Sequence, residues 1–273
     1  MPKEPSKDRR RGPKTGRDAE AEGLWIYGVN PVMECLRADP RTITEILCCR
    51  DDPRSRAVLA LAHEHGIPTV PVLRQSLSER FGHDRHQGIA ARLGSFRYEA
   101  LESLLARPDP AGLPILLLDC LQDPQNLGAI LRTACFLGAR AVVLPKDRSV
   151  QVTGAAFKAS AGALAHLPVV QVTNLVRAME RIKGHGYWIV GLDLAGRQSL
   201  YELSYTMPVA LAVGNEATGL RPLVKRNCDF LVKIPGTGPV QSLNAAAATA
   251  VALAEIRRQQ AAAPPRPQKN PRQ

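Results

Sequence analysis

From Ile115 onward the chain repeats one pattern, a short apolar run followed by a helical stretch. The apolar runs are ILLLD, AVVLP, PVVQV, YWIVGLD, PVALAVGN and FLVKIP. Between them lie LGAILRTACFLG, VTGAAFKASAGAL, NLVRAMERIKGHG and LRPLVKRNC, and a long Ala-rich helix is expected from about Ser242. Near-continuous apolar runs, as opposed to alternating ones, suit strands buried on both faces. The alternation with helices therefore predicts an α/β fold, a parallel sheet with helices on both faces. Ligands of such sheets sit beyond the carboxyl ends of the strands, so the loops after these runs are where chemistry is expected.

Ahead of this series, Leu24 to Leu93 carries shorter segments of the same two kinds: LWIYG, NPVMECLRA, EILCC, SRAVLALAHEHG, PTVPV, SLSERFG and GIAARL. They predict a smaller α/β domain over 23–94. Asn30 before Pro31 has the form of a helix start, an acceptor at the cap and Pro in the first turn. The stretch SFRYEALESLLARPDPAGLP, with Pro108, Pro110, Gly112 and Pro114, breaks the pattern and is expected to link the domains over 95–113, leaving 114–260 as the second. Residues 1–22 and 261–273 are rich in Pro, Lys, Arg and Gln, have little to bury, and read as disordered basic tails.

The formal net charge of +11 favours a polyanionic partner, nucleic acid being the commonest, without choosing which. The six cysteines, Cys35, Cys48, Cys49, Cys120, Cys135 and Cys228, contain no CxxC pair and read as reduced, mostly buried thiols. No apolar run approaches the roughly 20 residues of a membrane span. The basic start lacks the apolar segment of a secretion signal, and a cytoplasmic location is expected. There is no GxGxxG after a strand, no P-loop, no GxSxG elbow, no HExxH and no metal-spaced cluster, so no metal is expected and any nucleotide-like cofactor must be held by other means. His63 and His65 fall in a helical pattern and His83 and His86 in a polar turn, where ordinary surface histidines are expected.

Three loops of the second domain stand out. After ILLLD comes CLQDPQNLGAILRTA, with Asn126 and Gly128 in the turn and Arg132 further along the helix, a polar corner suited to an anion or, more plainly, an Asn cap with a surface Arg. PVALAVGNEATGL brings Gly214 and then Glu216, a carboxylate that orients a ligand or caps the next helix. KIPGTGPVQSLNAAAATA sets Gly236 and Gly238 beside Pro235 and Pro239, ahead of Ser242 and Asn244 at the start of the Ala-rich helix; small residues there permit close backbone approach to a ligand.

In this order the loops resemble the signature motifs of the SpoU/TrmH RNA ribose methyltransferases of the SPOUT superfamily. NxGAIxR followed by Ser or Thr is matched by Asn126, Gly128, Ala129, Ile130, Arg132 and Thr133. GxExxG is matched by Gly214, Glu216 and Gly219, and IPxxGxxxSLN by Ile234, Pro235, Gly238, Ser242, Leu243 and Asn244. Gly236 departs from the Met common in the family. The resemblance implies a deep C-terminal trefoil knot holding S-adenosylmethionine, chiefly through main-chain groups that map to Gly214, Ile234 and Leu243, with Asn244 beside them. It implies Arg132 at the centre of methyl transfer to a ribose 2'-hydroxyl, and Asn126, Glu216, Ser242 and Asn244 orienting Arg132, ribose and cofactor loop. It also implies a homodimer through the knotted domain, the partner chain completing the substrate site.

The first domain, with GVNPVMECL and HQGIAARL, is similar to the substrate-binding domain of the ribosomal-RNA branch, which resembles a small ribosomal-protein fold. That implies an RNA partner, a guanosine of large-subunit ribosomal RNA as the target. Thiostrepton-resistance enzymes carry a similar domain, and tRNA-directed relatives usually lack it. A tRNA substrate, or a non-catalytic RNA-binding ribosome-assembly protein, are the alternatives; intact Asn126, Arg132, Glu216 and Asn244 argue against the latter.

Overall fold

The structure is a computed structural model and describes residues 23–109 and 111–262. The expected tail of 1–22 and, beyond Ala262, that of 261–273 lie outside the described residues.

The first unit runs β1 (Leu24–Tyr27), α1 (Val29–Ala38), β2 (Ile43–Cys48), α2 (Pro53–Glu64), β3 (Thr69–Pro71), α3 (Arg74–Phe81) and β4 (Ile89–Leu93). Its sheet has the order β1-β4-β2-β3, with β4 antiparallel to β1 and β2, and β3 parallel to β2. Two expectations fail here. Asn30 does not cap α1, which begins one residue earlier: Gly28, at φ 99°, takes the cap position and Gln87 Oε1 accepts from the Val29 N–H at 3.1 Å. His86 is not a surface histidine but fully buried, its Nδ1 accepting from Gly88 N at 3.0 Å and its Nε2 lying 3.1 Å from Ser78 Oγ.

The second unit comprises α4 (Leu101–Ala106), β5 (Ile115–Leu118), α5 (Pro124–Phe136), β6 (Ala141–Pro145), α6 (Gly154–Ala159), β7 (Val169–Val172), α7 (Leu175–Gly184), β8 (Trp188–Leu192), β9 (Gln198–Ser199), β10 (Val209–Val213), α8 (Pro222–Asn227), β11 (Phe230–Lys233) and α9 (Ala245–Ala262). Its seven strands lie in the order β7-β6-β5-β10-β8-β11-β9 and every pairing is parallel, as the apolar runs predict for all but the short edge strand β9, which no run marks. Alternate residues of one strand serve opposite faces. Leu116 and Leu118 of β5 pack with Ile130, Leu131 and Ala134 of α5 and with Leu253 and Ile256 of α9, whereas Ile115 and Leu117 pack with α4, α7 and α8.

The segment expected to be a bare linker thus contains α4, whose Leu101, Leu104 and Leu105 are buried against the second face. The units are not loosely tethered. The core cluster around α5 and α9 continues into Ile26, Val32 and Leu36 of the first unit, and a Cβ on Gly154 of α6 would stand 2.3 Å from the Trp25 carbonyl oxygen. Of the cysteines, only Cys35 and Cys48 are buried; the other four are half-exposed. No helix among the described residues is long and apolar enough to cross a membrane.

Candidate active site

The carboxyl ends of β5, β8, β10 and β11 lead into Asp119, Asp193, Gly214 and Ile234, and the site is built from these four loops. The α5 helix is started not by Asn126 but by Asp123, whose Oδ1 accepts from Gln125 N at 2.9 Å, with Pro124 in the first turn. That leaves the Asn126 side chain, inside the helix, free to bond elsewhere. Its Nδ2 donates to Glu216 Oε1, and its Oδ1 accepts from Asn244 Nδ2 at 2.8 Å. Asn244 in turn caps α9, its Oδ1 accepting from Ala246 N at 2.9 Å and Ala247 N at 3.4 Å. The result is one directed chain, from helix N–H groups through two amides to a carboxylate. Each bond fixes the orientation of the next amide and polarises it. Glu216 ends this chain and caps no helix.

Arg132 is not part of the chain. It is exposed on α5, six residues beyond Asn126, and forms no hydrogen bond or ion pair among the described residues. At about 100° per residue it leaves the helix on a different side from Asn126. Gly128 lies not in a turn but in α5, buried where α5 meets α6; a Cβ there would stand 2.3 Å from Ala159 Cβ.

Beside the hydrogen-bonded corner lies a cavity of about 670 Å³ between the ends of β8, β10 and β11 and the first turns of α9. Such a volume suits a nucleotide-sized ligand. Gly214, Glu216, Ile234, Ser242 and Leu243 all line it. At Gly214 the backbone of Gly219 and Leu220 closes in, so that a Cβ would stand 2.2 Å from the Gly219 carbonyl carbon; this pairs the two strands of the 214–219 turn, where Asn215 and Gly219 exchange backbone hydrogen bonds of 3.2 and 2.8 Å. The opposite rim is open: Gly236 and Gly238 have nothing within 4 Å of a Cβ, and Leu194, Val240 and Leu243 expose apolar side chains along the cavity.

Two ion pairs escaped the motif reading. The fully buried Asp119 carboxylate receives the Arg221 N–H at 2.8 Å and its Nε at 2.7 Å, tying the end of β5 to the start of α8. Asp193, whose side chain is 6% exposed, lines the cavity with Lys225 Nζ 2.7 Å from its Oδ2. Apart from this ion pair Oδ2 has no hydrogen-bond partner among the described residues. The half-exposed Cys120 thiol next to Asp119 is pushed above the usual thiol range by burial and by that carboxylate, so it offers no thiolate nucleophile at neutral pH.

The SpoU rRNA methylase family model matches residues 114–254, and a model described as RNA 2'-O ribose methyltransferase substrate binding matches 25–99. An uncharacterized tRNA/rRNA methyltransferase of Mycolicibacterium smegmatis is 41% identical over 250 residues, 90% of this chain and 79% of that one. A protein of Bacillus subtilis classed with the TrmH family of tRNA/rRNA methyltransferases is 39% identical over 238 residues, 86% of this chain and 95% of that one. Among solved structures, an AdoMet-bound rRNA methyltransferase from Sinorhizobium meliloti superposes with a TM-score of 0.75 at 26% identity, covering 90% of each chain. With its three motifs gathered at the carboxyl ends of one parallel sheet, the chain belongs to the SpoU family of RNA methyltransferases.

Proposed function

We propose that the protein methylates a ribose 2'-hydroxyl of RNA with S-adenosylmethionine, its target a guanosine of large-subunit ribosomal RNA. The observation that carries this reading is the chain Asn244–Asn126–Glu216, which joins the three motifs at the edge of a nucleotide-sized cavity. The cavity fits the cofactor: a buried carboxylate with one ammonium partner, an apolar mouth, and Gly214, Ile234 and Leu243 among its lining residues. When bound, S-adenosylmethionine supplies an electrophilic methyl group on sulfonium sulfur.

The residues of the chain do the rest by position and charge. Glu216, held by Asn126, and Ser242, on the cavity wall, orient the ribose and the cofactor loop. Arg132 meets the RNA: a guanidinium has five donors and no acceptor, which suits it to a phosphate or to the negative charge developing on the 2'-oxygen. The first unit holds the substrate RNA, as its similarity to a substrate-binding domain suggests.

The protein works as a cytoplasmic homodimer through its knotted second domain. Phe136 is 87% exposed and lies one turn beyond Arg132 on the same face of α5, so burial of that face in a twofold contact brings Arg132 to the partner's site.

The test is methyl transfer from labelled S-adenosylmethionine to ribosomal RNA lacking the modification, followed by ribose-methylation mapping. One 2'-O-methylated guanosine is expected. Labelling of tRNA instead, or of a base, overturns the assignment.

A further inference from the structure

We propose that Asp193 is a cofactor-binding residue, its Oδ2 accepting a hydrogen bond from a hydroxyl of the cofactor's ribose. The inference rests on the S-adenosylmethionine reading above and adds to it a side-chain contact outside the three motifs. Oδ2 is buried and has, besides the Lys225 ammonium 2.7 Å away, no donor among the described residues, so this carboxylate oxygen keeps a lone pair for a ligand. Asp193 Oδ1 is already used, accepting from Ala195 N at 3.0 Å, which holds the turn after β8 in place. Oδ2 is left facing the 214–219 turn, where a Cβ on Gly219 would come within 3.3 Å of it. Both Asp193 and that turn line the cavity.

The chemistry selects the ligand group. Lys225 already balances the charge of Asp193, so the carboxylate is not a seat for a second ammonium; it needs a neutral donor. Strand order selects the part of the cofactor. Asn126 follows β5 and Asp193 follows β8, on opposite sides of β10, so Asp193 faces a part remote from the methyl group, which must point to the Asn126 corner. The adenosyl arm carries neutral O–H donors, the ribose diol, and a carboxylate that accepts from a diol is a recurring way of holding nucleotide riboses.

The experiment is calorimetric titration of S-adenosylhomocysteine and its 2'-deoxy and 3'-deoxy forms into the full-length protein and into Asp193→Asn and Asp193→Ala, with thermal melts as a folding check. One of the deoxy forms is expected to bind the unmodified protein about ten- to hundredfold more weakly, the range for a lost hydrogen bond to a charged group. Asp193→Ala should bind the parent ligand more weakly by a similar factor and no longer distinguish it from that deoxy form. Asp193→Asn, which retains an acceptor for Ala195 N, should fall between. If both deoxy forms bind the unmodified protein like the parent ligand, the inference is overturned without recourse to any variant. If the variants fold and discriminate as the unmodified protein does, it is likewise overturned. If the unmodified protein binds none of the ligands, the cofactor reading itself falls, and the inference with it.

Discussion

Gly128 and Gly214 are hemmed in by neighbouring backbone and side chains, at 2.3 and 2.2 Å from an added Cβ, whereas Gly236 and Gly238 in the loop before α9 would meet nothing within 4 Å. All four belong to the same three motifs or sit beside them, yet they do different work. The first pair lets α5 press on α6 and the 214–219 turn close on itself, and so fixes the corner that carries Asn126 and Glu216. The second pair borders space. One side of the site is a packed frame, and the other is an open rim.

The largest effect that sharpens this contrast is expected from Arg132, which belongs to neither side of the cavity. Arg132→Ala should lower single-turnover methyl transfer by about 10²- to 10³-fold, the usual scale for a lost electrostatic contact to developing charge. Its affinity for S-adenosylhomocysteine by calorimetry should stay unchanged, since Arg132 is not among the residues that line the cavity. Equal losses in both measurements would place Arg132 in the frame instead.

Substituting the glycines tests the contrast directly. Gly214→Ala forces a methyl into backbone and should cost about 1–3 kcal/mol, the range for overpacking, read as a Tm several degrees lower by scanning calorimetry. Gly236→Ala should leave Tm as it is. If both melt alike, the rim is as packed as the frame and the division is wrong. A smaller loss is expected at Asn126: Asn126→Ala removes both links of the side-chain relay and should slow transfer about tenfold, in line with one or two net hydrogen bonds. The melting temperature should change little, because Asp123, not Asn126, caps α5.

How much of this was legible in the sequence follows the same division. Six of the seven strands of the large sheet read directly, because runs such as ILLLD and PVALAVGN are buried on both faces and carry no alternation to misread, whereas the two-residue edge strand β9, Gln198–Ser199, has no apolar run to mark it. Helix starts read less well. Asn126 looked like a cap, but Asp123-Pro124 three residues earlier satisfies the same need, and an acid followed by Pro was there to be seen. Asn30 gives up the cap to Gly28 because Gln87, 58 positions from Val29, supplies the acceptor for the Val29 N–H; no local pattern contains that. The Leu101, Leu104, Leu105 stripe of α4 has helical spacing, but the prolines and glycine that follow are the stronger local signal and predict a linker. Asp193 carries no motif. Only its place at the carboxyl end of an apolar run pointed to it, and that rule singles out every loop on that edge of the sheet alike.

His86 brings the first unit into the same comparison, on the side of the frame. Its polar neighbours in sequence, Asp84 and Gln87, predict an exposed turn histidine and carry no sign of its burial. Its Nδ1 is occupied by the Gly88 N–H, so in the neutral ring the proton sits on Nε2 and reaches Ser78 Oγ. Protonation needs Nδ1 as well, and the backbone donor opposes it. Burial first, then the nearby Arg74 charge, hold the imidazole below its ordinary value, with Asp84 only partly offsetting them. Below the unfolded pKa of about 6.5, the unfolded chain therefore takes up a proton that the native one resists, and stability falls as pH drops through and beneath that value. Urea unfolding at pH 7.5 and 5.5 should show this loss, and His86→Gln should start less stable but lose less between the two pH values. Equal losses in both proteins would mean that the ring titrates as freely in the folded chain as in the unfolded one, and that this turn is as open as the loop around Gly236.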